Sequence, residues 1–242
     1  MTFEQEWADL RAAAAKRRRG SVRRGLLVAA VAGSLFLGAT GCGGSGEADG
    51  TPKPPKDYKV VAGTQLCGGS AVSADAARAL KVITGSSRFE ASAKKYTVAQ
   101  AATNLVEEFP ASTVTKDVCR VYTPIGTPDF DLRITWRLAD GVPTEPPAPN
   151  FTELRMGEDA VTADKAYVQF ACRSEKLLSS SSVGHIVIGV QHWAVPTEPE
   201  GDVQELKDAY ATVAHSFSLA MARELGCEKD GGLPEQPVLE PA

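Results

Sequence analysis

The five cysteines are the residues of this 242-residue chain whose side-chain chemistry is most specific. Four of them lie 52, 53 and 55 positions apart, which matches no zinc-ligand spacing, and no C-x-x-C pair is present for thiol–disulfide exchange. These four are Cys67, Cys119, Cys172 and Cys227. We therefore expect them to be structural, and the fifth, Cys42, requires a separate explanation.

The three histidines and the short catalytic motifs give no enzyme signature. His185 and His192 lie seven residues apart, so on one strand they face opposite sides and cannot ligate one metal ion. His215 falls on a predicted helix. Residues 92–95 match S-x-x-K, but they precede a helix and lack the companion motifs of serine enzymes that use this pattern. The sequence therefore predicts no catalytic residue, no metal and no cofactor, and it favours a protein that is not an enzyme.

The N-terminal part of the chain differs in charge from the rest. Residues 1–41 hold seven basic and three acidic residues, whereas residues 42–242 hold 19 basic and 27 acidic residues, a net charge of −8. An uncharged apolar run over 25–41 follows Arg23 and Arg24. A basic segment followed by a hydrophobic run of this length is typical of an export signal. The acidic remainder argues against a nucleic-acid partner.

Small residues end that apolar run directly before Cys42. The sequence Ala39-Thr40-Gly41-Cys42 resembles a bacterial lipobox, after which the cysteine receives a diacylglyceryl thioether and becomes the mature N-terminus. The resemblance implies a lipoprotein signal peptide over 1–41 and a lipid on Cys42 that holds the protein on the outer face of the cell membrane. An uncleaved membrane anchor with an incidental cysteine is the alternative. Residues 42–57, rich in glycine and then in proline, are expected to form a flexible tether.

An exported chain carries its cysteines in an oxidising compartment, so the even set that remains predicts two disulfides. Four cysteines allow three connectivities. Pairing Cys67 with Cys119 and Cys172 with Cys227 joins a helix end to a strand in each half of the chain, and it is the pairing we expect. The pairing of residue 67 with 227 and of 119 with 172 would contradict it.

Three segments carry the apolar spacing and the end signals of helices. The first, over 73–85, lies between an N-cap serine and a terminal glycine. The second opens with a capping box at Thr97 and is stopped by Pro110. The third begins at Asp202, has apolar residues every three or four positions and ends at Gly226. These segments predict helices before and after the strands.

Alternating or apolar segments predict four strands, over 118–123, 131–138, 166–173 and 185–194. Helices on either side of antiparallel strands predict an α+β domain over 58–227, in which a sheet of four to six strands packs with two or three helices and two disulfides. The proline-rich residues 141–150 are expected to form a loop between the halves. The polar residues 228–242 are expected to be a disordered tail.

Two tryptophans and one histidine form the candidate pocket. Trp136, Trp193 and His192 lie near predicted strand ends, where aromatic side chains often line binding sites. The alternative is that both tryptophans belong to the core beneath the helices.

The placement of the cysteines and the order of elements give a resemblance at the level of the whole domain. Leu66-Cys67 before a helix, a Val118-Cys119 strand and a closing strand–strand–helix resemble small actinobacterial cell-envelope lipoproteins of unknown function. The resemblance covers most of residues 58–227 and implies an accessory envelope protein or a ligand-binding module. It carries over no catalytic residues, and Val121 stands where that group usually has tryptophan.

These observations lead to one favoured function and two alternatives. The favoured function is a lipid-anchored, non-enzymatic envelope protein that binds a small ligand or another envelope protein outside the cytoplasmic membrane. A secreted hydrolase with an unrecognised site is the first alternative. The second is a membrane-tethered regulator whose residues 1–19 act as a cytoplasmic helix.

Overall fold

Helices cover one face of an antiparallel sheet in the computed structural model of the chain, which describes residues 58–110, 114–177, 183–193 and 199–242. The chain divides into a unit over 1–49 and a unit over 50–242, and all described residues belong to the second. The predicted signal peptide, Cys42 and the predicted tether lie outside the described residues.

Eight strands and three α-helices make up the described part of the chain. In chain order they are β1 (Val60–Ala62), α1 (Ala74–Thr84), β2 (Arg88–Glu90), α2 (Val98–Glu108), β3 (Lys116–Tyr122), β4 (Asp131–Ala139), β5 (Thr152–Glu153), β6 (Asp159–Thr162), β7 (Lys165–Cys172), β8 (Gly184–His192) and α3 (Val203–Leu225). The six-stranded sheet has the order β3-β4-β8-β7-β6-β5, and β1 pairs with β2 separately. The predicted α+β class, with an antiparallel sheet, helices and two disulfides, is confirmed.

The helices begin where their capping residues predict. The side chain of Ser73 accepts a hydrogen bond from the backbone N–H of Ala76 at 3.1 Å, and Thr97 does the same from Gln100. Asp202 accepts from the first turn of α3. Gln100 bonds Asn104 rather than returning to the backbone of Thr97, so only half of the predicted capping box forms. Helices α1 and α3 both end at a glycine in the left-handed conformation.

Strand β4 shows how the sheet separates a core face from an outer face. Leu132, Ile134 and Trp136 are fully buried towards the helices, whereas Arg133 and Arg137 point to the opposite side. We call that opposite side the outer face. The four predicted strands are confirmed with small shifts at their ends, but β1, β2, β5 and β6 were not predicted. Each of those has only two to four residues, too few to display an alternating pattern.

The two disulfides join the helix layer to the sheet. Cys67, in the 3-10 segment Gly63–Gly68 before α1, is bonded to Cys119 of β3 with a Cα–Cα distance of 5.7 Å. Cys172 of β7 is bonded to Cys227, which follows α3, at 4.8 Å. This is the pairing expected from the sequence.

The C-terminal residues are ordered, so the prediction of a disordered tail over 228–242 is wrong. Leu233 is buried, and Pro241 forms a β-bridge with Leu154 beside β5. The N–H of Ala242 donates to the carbonyl of Glu153 at 3.0 Å. A proline-rich composition is typical of disordered segments. In residues 228–242, however, a few apolar side chains bury enough surface to hold the segment against the domain. The folded domain therefore extends to the end of the chain.

We predict that each disulfide contributes about 4 kcal/mol to the free energy of unfolding, because each closes a loop of 52 or 55 residues. Two double variants, Cys67→Ala with Cys119→Ala and Cys172→Ala with Cys227→Ala, should each lose roughly that amount in urea denaturation. A non-reducing peptide map that linked Cys67 to Cys227 would contradict the pairing itself.

We predict that Gly231→Ala destabilises the domain more than Gly232→Ala. Both glycines have positive φ angles, 70° and 77°, so each substitution carries a backbone cost of about 1 kcal/mol. A Cβ at Gly231 would lie 2.7 Å from the Phe170 ring and 2.8 Å from the carbonyl oxygen of Ala171, whereas a Cβ at Gly232 meets nothing within 4 Å. The additional loss at 231 should be about 1–3 kcal/mol by chemical denaturation. Equal losses for the two variants would contradict the packing of residues 228–242 against β7.

Candidate functional site

The residues of the predicted pocket do not come together. Trp136 is fully buried on the helix-facing side of β4, directly opposite Ile188 of β8. Trp193 follows β8, is 39% exposed and lies on the outer face, where the Arg133 guanidinium stands 4.8 Å from its ring centroid. The core interpretation is thus right for Trp136 and wrong for Trp193. A pocket lined by both tryptophans is excluded because they lie on opposite faces of the sheet.

The histidines occupy three separate places. His192 is opposite Leu132, and its ring stacks on Phe130 at 4.6 Å between centroids, with Nε2 buried and unpartnered among the residues the structure describes. The Nδ1 of His185 lies 2.8 Å from the Glu158 carboxylate. The opposite orientations expected for these two histidines are observed. Within the described ranges no group of three or more His, Cys, Asp and Glu side chains is placed to hold a metal ion.

His215 lies inside the helix layer and holds the C-terminal segment. It is almost completely buried on α3, and its Nε2–H donates to the carbonyl of Pro234 at 2.8 Å. Burial lowers the pKa of His215 below its ordinary value, and this effect outweighs the carbonyl of Pro234, which favours the charged form. The histidine is therefore neutral in the folded protein at neutral pH.

We predict that acid destabilises the domain partly through His215. Below pH 6.5, the ordinary pKa of histidine, His215 of the unfolded chain binds a proton that the folded protein does not bind. The free energy of unfolding therefore falls as the pH drops from 6.5 through the lowered pKa of the folded state. The loss from this one group is at most about 1.4 kcal/mol per pH unit. His215→Gln keeps a donor for Pro234 but does not titrate, so its stability should fall less between pH 6.5 and 5. Parallel curves for the two proteins would contradict this assignment.

A row of long polar side chains crosses the outer face of the sheet. Arg120 of β3 is opposite Arg133 of β4, Arg133 is opposite Gln191 of β8, and Gln191 is opposite Lys165 of β7. Residues directly opposite each other in an antiparallel pair point to the same face. With strands about 4.8 Å apart, the row is about 14 Å long. Three of its four members are cations, and we call these four residues the cationic row.

Two carboxylates lie beside the cationic row. Asp117 forms ion pairs with both Arg120 and Arg133. A hydrogen bond with Tyr122 is the largest cause that raises the pKa of Arg120, Asp117 adds to it, and burial opposes it. Burial raises the pKa of Asp131, and the charge of Arg120 only partly offsets this. Asp117 is therefore one carboxylate shared by two guanidinium groups, and its single charge does not balance both of them.

Arg137 is a cation of the outer face without a hydrogen-bond or ion-pair partner among the described residues. It lies on β4 opposite Val187, is half-buried, and forms no hydrogen bond or ion pair with any residue that the structure describes. Burial lowers its pKa, and the neighbouring Tyr167 only partly counters that effect. Arg137 thus carries an uncompensated positive charge in a partly desolvated position.

The proline-rich connection between β4 and β5 packs over the outer face next to these residues. The carbonyl of Gly141 accepts a hydrogen bond from Nε2 of Gln169 on β7 at 3.0 Å. At the other end of the connection the Phe151 ring lies 6.2 Å from that of Tyr167. Residues 141–150, predicted as a loop, therefore lie against the outer side of β7.

The Tyr167 ring is placed by a close approach to the backbone of β8. A Cβ on Gly189 would lie 3.0 Å from that ring and 2.9 Å from Oγ1 of Thr135. The Tyr167 hydroxyl then donates to Oε1 of Gln191 at 3.3 Å. The missing side chain at Gly189 allows the aromatic ring to lie between the cationic row and Arg137.

Known proteins supply no further guide to this site. No family model, no curated protein and no solved structure matches the chain. The chemistry of the site is thus argued from its own residues.

The sequence contained part of the signal for the outer face. Arg133, Thr135 and Arg137 alternate with apolar residues in the sequence, a pattern that indicates a strand with one polar face. Their continuity with Arg120 and Lys165 was missed, because it depends on which strands are neighbours and in what register.

Proposed function

We propose that this protein is a lipid-anchored binding module of the cell envelope, held by a lipid on Cys42 and acting outside the cytoplasmic membrane. The observation that carries the proposal is the pair of disulfides, Cys67–Cys119 and Cys172–Cys227. Stable disulfides belong to oxidising compartments and are rare in the cytosol. A domain closed by two of them is best suited to the outside of the cell.

The order of segments along the chain supports the anchoring part of the proposal. A basic, apolar leader ends in Ala39-Thr40-Gly41-Cys42, and the described domain begins at residue 58. No helix among the described residues is both long enough and apolar enough to cross a bilayer. Two acyl chains on one cysteine would hold a domain of this size stably, since each buried CH₂ contributes about 0.8 kcal/mol.

The distribution of polar groups favours binding over catalysis. General acid–base chemistry needs a titratable group within hydrogen-bond reach of a second functional group in an accessible site. His215 is sealed inside the helix layer, and His185 and Glu158 form a single hydrogen-bonded pair that belongs to no metal-holding group of three His, Cys, Asp and Glu side chains among the described residues. The residues that gather on the outer face are instead guanidinium, ammonium and aromatic groups, which suit recognition.

We predict that the mature protein begins at Cys42 and carries a diacylglyceryl group there. Intact-mass measurement of protein from the membranes of a bacterial host that processes lipoproteins should show cleavage after Gly41 plus the lipid. Cys42→Ser removes the thiol that accepts the lipid, so this variant should lose both the modification and the cleavage after Gly41. Thr40→Ala, which keeps a small residue before the cysteine, should be processed like the wild type.

Two results would contradict this function. A mature protein with an unmodified Cys42 would exclude the lipid anchor. Recovery of the peptide containing Trp7 from the membrane-bound mature protein would favour the alternative of a tethered regulator with a cytoplasmic N-terminal segment.

A further inference from the structure

We propose that the outer face binds an acidic glycan, a sugar polymer whose rings carry carboxylates, and that Arg137 binds one of those carboxylates. The proposal rests on the proposed function only for its setting outside the membrane. The binding geometry depends on β3, β4 and β8 and on Tyr167 of β7.

The first step is the unpaired charge of Arg137. A guanidinium group that is partly removed from water loses hydration, and it usually recovers that loss through a carboxylate or another acceptor. Arg137 makes no such contact with the residues that the structure describes. Its planar set of donors matches the two oxygens of a carboxylate. An external carboxylate is therefore the group that completes its surroundings.

The second step is the length of the charged surface. Arg120 of β3 and Arg133 and Arg137 of β4 lie on one face, and Arg137 is four residues, about 13 Å, along the strand from Arg133. A single small anion would contact one of these positions. An extended chain with charges at intervals can contact several of them at once, which favours a polymer.

The third step is the mixture of groups around the charges. The Trp193 ring is partly exposed and contacts the Arg133 guanidinium. Tyr167 lies between Gln191 and Arg137. Aromatic rings pack against the apolar faces of sugars, while amide and hydroxyl groups form hydrogen bonds with sugar hydroxyls. This combination suits a carbohydrate better than a simple inorganic anion.

The fourth step excludes a flat membrane surface as the partner. The side chains of Arg120 and Arg133 are only 27% and 19% exposed, and Arg137 is half-buried beside the packed connection over 141–150. A layer of lipid headgroups would contact the most protruding groups first. A slender chain can lie along the strands and reach charges that are set back from the surface.

Charge confines the site to one side of the outer face. The residues 42–242 carry a net charge of −8, and on this same face Asp159 of β6 lies beyond Gln169. Burial and the neighbouring Glu153 raise the pKa of Asp159, so carboxylates crowd that side. An acidic polymer is therefore directed away from β5 and β6 and onto β3, β4 and β8.

The test measures binding of the full chain, purified in detergent micelles, to polygalacturonate and to the same polymer with every carboxylate methyl-esterified. We expect titration calorimetry at low salt to show binding of the acidic polymer, weakened by added salt, and affinity for the neutral ester at least about tenfold lower. Equal affinity for the two polymers would overturn the proposal.

Substitutions at Arg137 locate the site. Arg137→Gln should weaken binding of polygalacturonate about tenfold or more, because a charge-assisted pair of hydrogen bonds is lost. Arg137→Lys keeps the charge without the planar fork and should have an intermediate affinity. Arg78→Gln makes the same change of charge on α1, where the Arg78 side chain is 74% exposed, and should bind like the wild type.

Thermal unfolding separates lost binding from lost structure. The charge of Arg137 is partly buried without a partner, so Arg137→Gln should melt at or above the wild-type temperature. Wild-type affinity in Arg137→Gln would overturn the assignment of this residue. If the wild type binds neither polymer, the glycan proposal fails while the lipid on Cys42 remains open to its own mass measurement, so the two proposals fail independently.

Discussion

The pairing of β4 with β8 is the constraint on which the rest of the structure depends. Eight consecutive pairs, from Leu132 opposite His192 to Ala139 opposite His185, fix which side chains of the two central strands share a face. A slip of one residue would move Trp136 from the core to the outer face and Arg137 into the core. The helix-facing core and the cationic outer face are therefore two consequences of one register.

The disulfides tie the helical layer to strands on both sides of this central pair, and the C-terminal segment covers one edge of the sheet. Cys67 and Cys227 belong to segments at the two ends of the helical layer, and each is bonded to a strand on a different side of the β4–β8 pair. Pro241 and Ala242 engage residues beside and within β5, the last strand of the sheet. Covering an edge strand in this way removes unpaired backbone groups that would otherwise recruit another chain.

Local signals in the sequence predicted most of the elements, and long-range contacts decided what could not be predicted. Ser73, Thr97 and Asp202 identify helix starts because capping acts within three residues, and the long strands show their alternation directly. The cationic row was not predictable from the sequence, because Arg120 and Lys165 lie on strands that are separated by two others. Their alignment depends on how all four strands pair. The separation of the two tryptophans onto opposite faces depends on the same cross-strand register.

The position of Arg137 argues for a role outside folding. A core can lose a buried pair of charges without losing stability, and a single unpaired charge that is partly buried contributes still less. Thr135, two residues earlier on the same face, shows that a small neutral side chain fits this strand. Arg133 differs from Arg137, since its guanidinium is held by Asp117 and stacks on Trp193. Folding therefore accounts for Arg133 but not for Arg137, and Arg137 is the residue that the proposed anionic partner would explain.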